Sequence, residues 1–389
     1  MKFTFGFLLI PLVTSLSSSS SSNSSNSSSN KLIRKPKNMD DPRLFGKVDK
    51  RILGTVLSQT APPPPIPINS ELEVKYGFHR LVEPVLQQIM TDLCSKTYEN
   101  LNGFTTETIT IQGVDNNDIT LYIHTPTNIT TTSTGSLPCI YHIHGGGMGM
   151  LRASDPMYIT TRGTLATFGV IVIGVEFRNS SGLHGPHHFP AGLNDCMSGL
   201  QWIYQHKAER NISKIIVHGE SGGGNLSLAL CLKAKRDGLL HLIDGVFARC
   251  PFIFGKYASK DLPEWSLLPS LQENAGLTFS LDGLDLLASV YVAPGDDDKN
   301  PLAWPYWATV EDLIGLPPHF ISVNDLDPLR DEGKAYYHKL LEAGVSAQLI
   351  NVHGTLHALD TVAIDLLPHL FRSILSTVAS FAKDIEKNF

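Results

Sequence analysis

The stretch Lys214 to Leu232, KIIVHGESGGGNLSLALCL, places a Gly-x-Ser-x-Gly turn between two apolar runs. The run that ends at His218 predicts a short buried strand, and the run after the turn predicts a buried helix. Such a turn presents its serine above the sheet, and the flanking glycines leave no Cβ to collide with neighbouring backbone. The N-terminus of the helix supplies N–H groups where negative charge develops. Ser221 is therefore a candidate nucleophile, the alternative being a serine that only caps a helix.

Length and composition describe a chain that can bury a large core. Its 389 residues allow one large or two medium domains, and 42% of them are hydrophobic. The formal net charge of −6 argues against nucleic-acid binding, which favours a basic domain. No stretch reaches the roughly 18 apolar residues that span a bilayer, so no membrane span is predicted. The five cysteines show no CxxC spacing, which favours buried thiols over a disulfide framework.

The first 37 residues form a separate region of biased composition. An apolar run from Phe3 to Val13 has the length of a signal peptide, and Ser17 to Ser29 contains only serine and asparagine. A tract of that kind cannot bury a core. The apolar run favours the secretory pathway or an extracellular destination, with a disordered tail on a cytoplasmic protein as the alternative.

Residues 38–104 are predicted to form an arm and a helix. Pro62 to Pro65 indicates a stiff polyproline segment that lies over a surface. The stretch from His79 to Leu93 predicts an amphipathic helix. Its apolar face should pack on the main domain or cover a pocket. A second candidate for a cap is the long insertion at 255–303, and we expect the insertion and the helix to pack together over Ser221 and form the walls of an acyl pocket.

Residues 105–389 alternate between strand and helix patterns. This alternation predicts an α/β fold with a mostly parallel, eight-stranded sheet, helices on both faces and a helical cap. The eight predicted strands are Thr108–Ile111, Ile119–His124, Pro138–His144, Val170–Phe177, Lys214–His218, Asp244–Cys250, Pro318–Asn324 and Ala347–Val352.

A glycine-rich loop follows the third strand of this sheet. Its sequence is His144-Gly145-Gly146-Gly147, and three glycines let backbone N–H groups converge on an anion. In hydrolases with a Gly-x-Ser-x-Gly turn, the oxyanion hole is built at this position. We expect His144 to anchor the loop through hydrogen bonds rather than to transfer protons.

The acid and the base of a catalytic triad each have two candidates. Asp325 and Asp327 follow a predicted strand, where a carboxylate can hold the tautomer of a histidine. His353 and His357 follow the last strand, and either could serve as the base.

Histidines also raise the question of a metal site. His353 and His357 have H-x3-H spacing, and His184, His187 and His188 lie in one loop. Zinc-binding pairs of this spacing normally lie on a helix with further ligands. Because no cysteine or carboxylate nearby shows ligand spacing, no metal is predicted.

Taken together, these motifs resemble those of the hormone-sensitive-lipase family of esterases, which have the α/β-hydrolase fold. The similarity runs from about Pro138 to the C-terminus, roughly two thirds of the chain. The motifs that carry it are HGGGM (144–148), EFRN (176–179), HHFPAGLNDC (187–196), GESGGGN (219–225), LPP (316–318), DPLRDEG (327–333) and GTLH (354–357).

The resemblance implies a role for each candidate residue. Ser221 is the nucleophile, Asp327 the orienting acid and His357 the general base of a Ser…Asp…His order. The oxyanion donors are the backbone N–H groups of Gly146, Gly147 and Gly222. Two positions depart from the family pattern. Glu220 stands where the family usually has Asp, and Gly222 stands where it usually has Ala.

The predicted function is a serine carboxylic-ester hydrolase, esterase-like or lipase-like, which acts on short- to medium-chain esters through an acyl-enzyme. No cofactor is implied, and the expected partner is a small-molecule ester rather than nucleic acid, with a homodimer left open. Two alternatives share the fold. A non-catalytic small-molecule receptor would keep the pocket and lose the base, and an amidase or deacetylase would use the same machinery.

Overall fold

The computed structural model describes residues 70–127, 135–293, 295 and 298–388. The signal-like run, the serine–asparagine tract and the proline-rich arm lie outside these residues. The predictions made for them stay predictions.

One sheet of eight strands organises the described chain, as the sequence predicted. Its strand order is β1-β2-β4-β3-β5-β6-β7-β8. Strand β2 pairs antiparallel with both of its neighbours, and the remaining pairs are parallel. The strands are β1 Phe104–Gln112, β2 Asp118–Pro126, β3 Leu137–Ile143, β4 Ile171–Glu176, β5 Ile212–Glu220, β6 Gly245–Arg249, β7 His319–Asn324 and β8 Ala347–Val352.

Helices cover the two faces of this sheet, because its central strands are apolar on both sides. Every residue of β3, β6 and β7 is buried. The helices are α1 Leu72–Asp92, α2 Ser95–Glu99, α3 Pro156–Thr167, α4 Ala191–Gln205, α5 Gly222–Arg236, α6 Pro263–Ser266, α7 Ser270–Glu273, α8 Leu281–Tyr291, α9 Val310–Leu313, α10 Arg330–Glu342, α11 Leu359–Val362 and α12 Pro368–Asn388.

The hydrophobic core is divided by the sheet into two layers. On one side, α4, α5 and α10 contribute residues such as Leu200, Leu228 and Leu340. On the other side, α3 and α12 contribute residues such as Leu165 and Leu375. Sheet strands pack into both layers, so residues at the ends of the strands are held from two directions.

The insertion between β6 and β7 carries α6, α7 and α8. Helix α8 contacts α1, where Lys75 Nζ donates a hydrogen bond to Ser289 Oγ at 2.9 Å. The side chain of Leu287, also on α8, lies against the glycine-rich loop: a Cβ placed on Gly147 would lie 3.2 Å from Leu287 Cδ1. The α8 helix therefore lies directly beside the candidate oxyanion loop.

Helix α1 differs from its prediction in both extent and orientation. It begins at Leu72, seven residues before the predicted start, and only its C-terminal part packs apolar side chains, Leu86 and Met90, against the core. Leu81 and Val85, which belong to the apolar face of the predicted helix, are 74% and 41% exposed instead of packed. The residues that α1 buries instead are Lys75, Tyr76, His79 and Glu83.

Polar groups on the surface under α1 explain this orientation. The hydroxyl of Tyr76 lies 2.9 Å from His188 Nε2, and His79 Nδ1 lies 2.7 Å from Ser181 Oγ. Buried polar groups need hydrogen-bond partners, and α1 supplies them only with its polar stripe facing inward.

Among the residues that the structure describes, no helix is long and apolar enough to cross a membrane. The five cysteine thiols are free and buried.

Candidate active site

Ser221 occupies a strained turn between β5 and α5. Its φ angle is +56°, a conformation that side chains with a Cβ rarely adopt. Three backbone hydrogen bonds hold it there. The Ser221 N–H donates to the carbonyl of Arg249 at 2.9 Å, and its own carbonyl accepts from the N–H groups of Asn225 and Phe252 at 3.0 and 3.2 Å.

The glycines beside Ser221 are required by close backbone contacts. A Cβ on Gly219 would lie 2.4 Å from the carbonyl carbon of Gly223, and a Cβ on Gly223 would lie 2.0 Å from the carbonyl oxygen of Ile143. Both distances are shorter than any van der Waals contact, so only glycine fits these positions.

A chain of hydrogen bonds connects Ser221 with His357 and Asp327. His357 Nε2 lies 2.9 Å from Ser221 Oγ, and His357 Nδ1 lies 2.6 Å from Asp327 Oδ2. Asp327 is fully buried, and its other carboxylate oxygen accepts the N–H of Leu329 at 2.9 Å. Because a carboxylate accepts, Nδ1 carries the imidazole proton and Nε2 is left to accept from the serine hydroxyl.

The other two candidates for acid and base lie apart from this chain. Asp325 Oδ2 is 3.5 Å from His353 Nδ1, and the side chain of His353 is 81% exposed. The structure therefore brings together one aspartate and one histidine with Ser221, and they are Asp327 and His357.

Several polar residues that support the His357 loop were missed in the sequence. The amide of Asn324 accepts the N–H of Ala358 at 3.1 Å and donates to Thr355 Oγ1 at 2.8 Å and Asp360 Oδ1 at 3.0 Å. Asp360 in turn accepts from the buried guanidinium of Arg249 at 2.6 Å. A polar residue at the end of a fully buried strand was the available signal for Asn324.

Unbonded N–H groups mark the middle of the glycine-rich loop. The N–H groups of Gly149 and Met150 both donate to the carbonyl of Gly146. Those of Gly146, Gly147 and Gly222 have no acceptor within the described part of the chain. A Cβ on Gly222 would lie 2.7 Å from the nitrogen of Gly147, so the loop and the start of α5 meet at backbone contact beside Ser221.

Two buried side chains at the start of this loop have strongly altered pKa values. Burial lowers the pKa of His144 to about 3, so its imidazole is neutral and bonds the carbonyl of Gly145 at 2.9 Å. Burial also raises the pKa of Glu220 to about 7. Its Oε2 lies 3.2 Å from His142 Nε2. Because burial holds the pKa of His142 well below its ordinary value, this contact is a hydrogen bond of a neutral imidazole rather than an ion pair.

The raised pKa of Glu220 predicts a dependence of stability on pH. The folded protein holds the Glu220 proton between pH 4.5, the ordinary pKa, and about 7, whereas the unfolded chain releases it. The free energy of unfolding should therefore fall as pH rises through this window, by about 3 kcal/mol relative to a Glu220→Gln variant that does not titrate. Urea unfolding of both proteins across this pH range measures the difference. A constant difference would contradict the prediction.

Two groups of three side chains bring metal-ligand atoms within 4.8 Å of one another in the described residues: His142–His218–Glu220 and Cys250–Asp327–His357. In the second group, burial raises the pKa of the Cys250 thiol well above its ordinary value, and a protonated thiol is a poor ligand. In the first, His218 Nδ1 lies 2.9 Å from the backbone carbonyl of Phe247. The histidines at 184, 187 and 188 form no such group there. The absence of a resident metal stays a prediction.

One known protein family matches the part of the chain that contains most of this site. Residues 140–361 match a protein family described by the alpha/beta hydrolase fold. Over 230 residues the chain is 34% identical to the carboxylesterase NlhH of Mycobacterium tuberculosis, which covers 56% of this chain and 66% of that protein. It is 30% identical over 252 residues to an arylesterase of Saccharolobus solfataricus, covering 64% and 75%. The chain thus spans about two thirds of the length of NlhH.

Solved structures resemble a larger part of the chain. Brefeldin A esterase, described as a bacterial homologue of human hormone sensitive lipase, aligns with a TM-score of 0.81 and 34% identity. That alignment covers 90% of this chain and 96% of the esterase.

Proposed function

Because the chain belongs to the hormone-sensitive-lipase-like esterases of the alpha/beta hydrolase family, we propose that it is a serine hydrolase that cleaves carboxylic esters with short- to medium-chain acyl groups. One observation carries the proposal: Ser221 Oγ, His357 and Asp327 are linked by contacts of 2.9 and 2.6 Å. Beside them lie the N–H groups of Gly146, Gly147 and Gly222, which have no acceptor among the residues that the structure describes.

Acylation begins at Ser221. Its Oγ attacks the carbonyl carbon of the ester while its proton passes to His357 Nε2. The carbonyl electron pair moves onto the oxygen, which accepts hydrogen bonds from the N–H groups of Gly146, Gly147 and Gly222. Asp327 holds the imidazole in the required tautomer and stabilises the imidazolium. The tetrahedral intermediate collapses, and the leaving alkoxide takes the proton from His357.

Deacylation repeats these steps with water. The imidazole of His357 takes a proton from a water molecule while the water oxygen attacks the carbonyl carbon of the acyl-enzyme. The carboxylic acid then leaves, and Ser221 Oγ recovers its proton from the imidazolium. Each N–H donor in the oxyanion hole contributes about 3 kcal/mol to transition-state stabilisation. The reaction needs no metal or organic cofactor.

Two alternative functions would use the same site. A non-catalytic receptor that has lost its base does not account for His357 within hydrogen-bond distance of both partners. An amidase or deacetylase would use the same catalytic groups as an esterase. The leaving group of the preferred substrate, an amine or an alcohol, distinguishes an amidase from an esterase. A homodimer and a secretory destination stay predictions.

Hydrolysis of p-nitrophenyl esters from acetate to palmitate tests the proposal, with the matching p-nitroanilides as the amide arm. We expect the highest kcat/KM among the short and medium esters and little turnover of the anilides. Absence of ester turnover, or a preference for the anilides, would reject it.

Leu287 on α8 is predicted to limit substrate size, because its side chain lies against Gly147. We expect Leu287→Ala to raise the ratio of kcat/KM for bulky over small esters about tenfold, as pockets discriminate by 1–3 kcal/mol per methylene. Two ester series, one with growing acyl groups and one with growing alcohols, measure this ratio.

Leu284 on the same helix provides the matched control for that variant. It is 1% exposed and belongs to the core, so Leu284→Ala should lower stability and leave the ratio unchanged. Unaltered ratios for Leu287→Ala in both series would show that α8 does not bound the substrate.

A further inference from the structure

The two ends of the glycine-rich loop are each held by the carboxyl group of a buried glutamate. At the first end, Glu220 Oε1 accepts the N–H of Gly145 at 2.9 Å. At the other end, Glu83 Oε1 accepts the N–H of Leu151 at 2.7 Å. Between these ends, the N–H groups of Gly149 and Met150 are bonded within the loop, and those of Gly146, Gly147 and Met148 have no acceptor among the described residues. The unbonded donors thus lie between two anchored points.

Glu83 is an unusual residue to find in this position. It lies on α1, its side chain is 0% exposed, and its second oxygen accepts the N–H of Leu183 at 2.6 Å. In the described chain, no cation lies within ion-pair distance of it. A buried carboxylate without a cation is expensive, and an apolar side chain would normally serve stability better.

The orientation of α1 is also unfavourable for its own apolar residues. The helix leaves Leu81 74% exposed while it buries Glu83, which opposes the hydrophobic pattern of its own sequence. A local conflict of this kind is expected where a residue serves function rather than stability. The contact is also close: a Cβ on Gly182 would lie 2.3 Å from Glu83 Oε2, so the carboxylate is packed directly against backbone.

Glu220 connects the loop to the nucleophile. It directly precedes Ser221, so the residue that accepts the Gly145 N–H is bonded covalently to the strained turn. Its second oxygen is held by His142. Any shift of the loop start is therefore transmitted to the position of Ser221.

We propose that Glu83 and Glu220 are positioning residues that clamp the glycine-rich loop and aim the N–H groups of Gly146 and Gly147 at the oxygen of the reacting ester. Oxyanion donors act only within about 2.7–3.1 Å of that oxygen. The two glycines have φ angles of +96° and +63° and no Cβ, so their own backbone does not restrict them. The clamp rests on the proposed function and assigns α1 a role in catalysis without contact with the substrate.

The Glu83→Ala variant tests the clamp, because it removes one of the two loop anchors without changing any residue that contacts the reacting atoms. Because misplacement by about 1 Å can reduce rates about 100-fold, we expect kcat for p-nitrophenyl butyrate to fall about 10- to 100-fold. KM should change less than about twofold, since the lost interaction belongs to the transition state. The Ki of a trifluoromethyl ketone, whose hemiketal oxygen occupies the oxyanion hole, should rise by the same factor as kcat falls.

Glu83→Gln is the second variant, and it covers the case in which alanine prevents folding. Glutamine has the same shape and keeps one acceptor oxygen, but its NH2 group faces one of the two N–H donors. We expect it to fold and to show a smaller loss of kcat than Glu83→Ala.

Asp365→Ala is the matched control. This carboxylate accepts the N–H groups of Lys96 and Thr97 at 2.9 and 3.0 Å, so it too anchors the N-terminal helical segment through two backbone bonds, but away from the loop. The variant should lose stability and keep its kcat and inhibitor affinity.

Hydrogen–deuterium exchange of the peptide that covers residues 144–152 gives a readout independent of activity. Exchange of this peptide should accelerate in Glu83→Ala and not in Asp365→Ala. Unchanged exchange, or wild-type kcat and Ki in both Glu83 variants, overturns the clamp while ester hydrolysis stands. If the wild-type protein hydrolyses no ester, the proposed function fails, and the exchange result alone decides whether the clamp exists.

Discussion

Replacing Ser221 with alanine is expected to reduce kcat for p-nitrophenyl butyrate by about five to six orders of magnitude, as loss of a triad nucleophile does in other serine hydrolases. The physical reason is that no acyl-enzyme can form without Oγ, and only the oxyanion donors and substrate binding remain. The fold should be unaffected. The hydrogen bonds that hold the turn use the backbone of Ser221 rather than its side chain, and alanine has the same Cβ as serine.

Ser227 provides the matched control for this prediction. It lies six residues after Ser221, on helix α5. It is fully buried, and its hydroxyl bonds only the carbonyl of Gly223 at 2.7 Å. Ser227→Ala should keep most of the wild-type kcat. A fluorophosphonate probe, read by mass spectrometry, should label the wild-type protein and Ser227→Ala at Ser221 and leave Ser221→Ala unlabelled. Turnover retained by purified Ser221→Ala would reject the assignment of the nucleophile.

His357→Ala is expected to lose about four to six orders of magnitude in kcat, because removal of the base acts on the same unit as removal of the nucleophile. His353→Ala should stay within about twofold of the wild-type kcat, as surface changes away from a site are usually tolerated. The two histidines are four residues apart, yet the side chain of His357 is 4% exposed and that of His353 is 81% exposed.

The pair serves as its own control, because both variants remove an imidazole from the same loop. Steady-state kinetics together with thermal unfolding would separate a loss of chemistry from a loss of folding. If His353→Ala were inactive and His357→Ala active, the assignment of the base would be reversed.

The clamp gives the N-terminal helix α1 a role beyond packing. The sequence alone predicts that α1 is an amphipathic helix whose apolar face packs against an apolar partner. Through Glu83 it reaches the backbone of Leu151, at the end of the loop that carries the N–H donors. Variation in α1 could then alter kcat as well as substrate range.

The sequence by itself determined the fold class and supplied the candidate triad residues Ser221, Asp327 and His357. These features depend on short stretches whose residues act locally. The turn around Ser221 needs glycine within two residues on either side, and the glycine-rich loop needs its glycines consecutively. Strand periodicity likewise depends on neighbours in the chain. Asp327 and His357 were separated from Asp325 and His353 only by their match to family motifs, since position after a strand suits all four.

Only the tertiary structure decided what lies around these residues. Glu83 is 68 residues from Leu151, and Asn324 is 34 residues from Ala358, so no local pattern links them. The face that α1 turns inward depends on what the domain offers beneath it. Beneath Tyr76, His79 and Glu83 that surface presents N–H groups, a hydroxyl and an imidazole. Hydrophobic periodicity finds the apolar stripe of a helix, but the requirement that buried polar groups be paired determined which stripe is buried here.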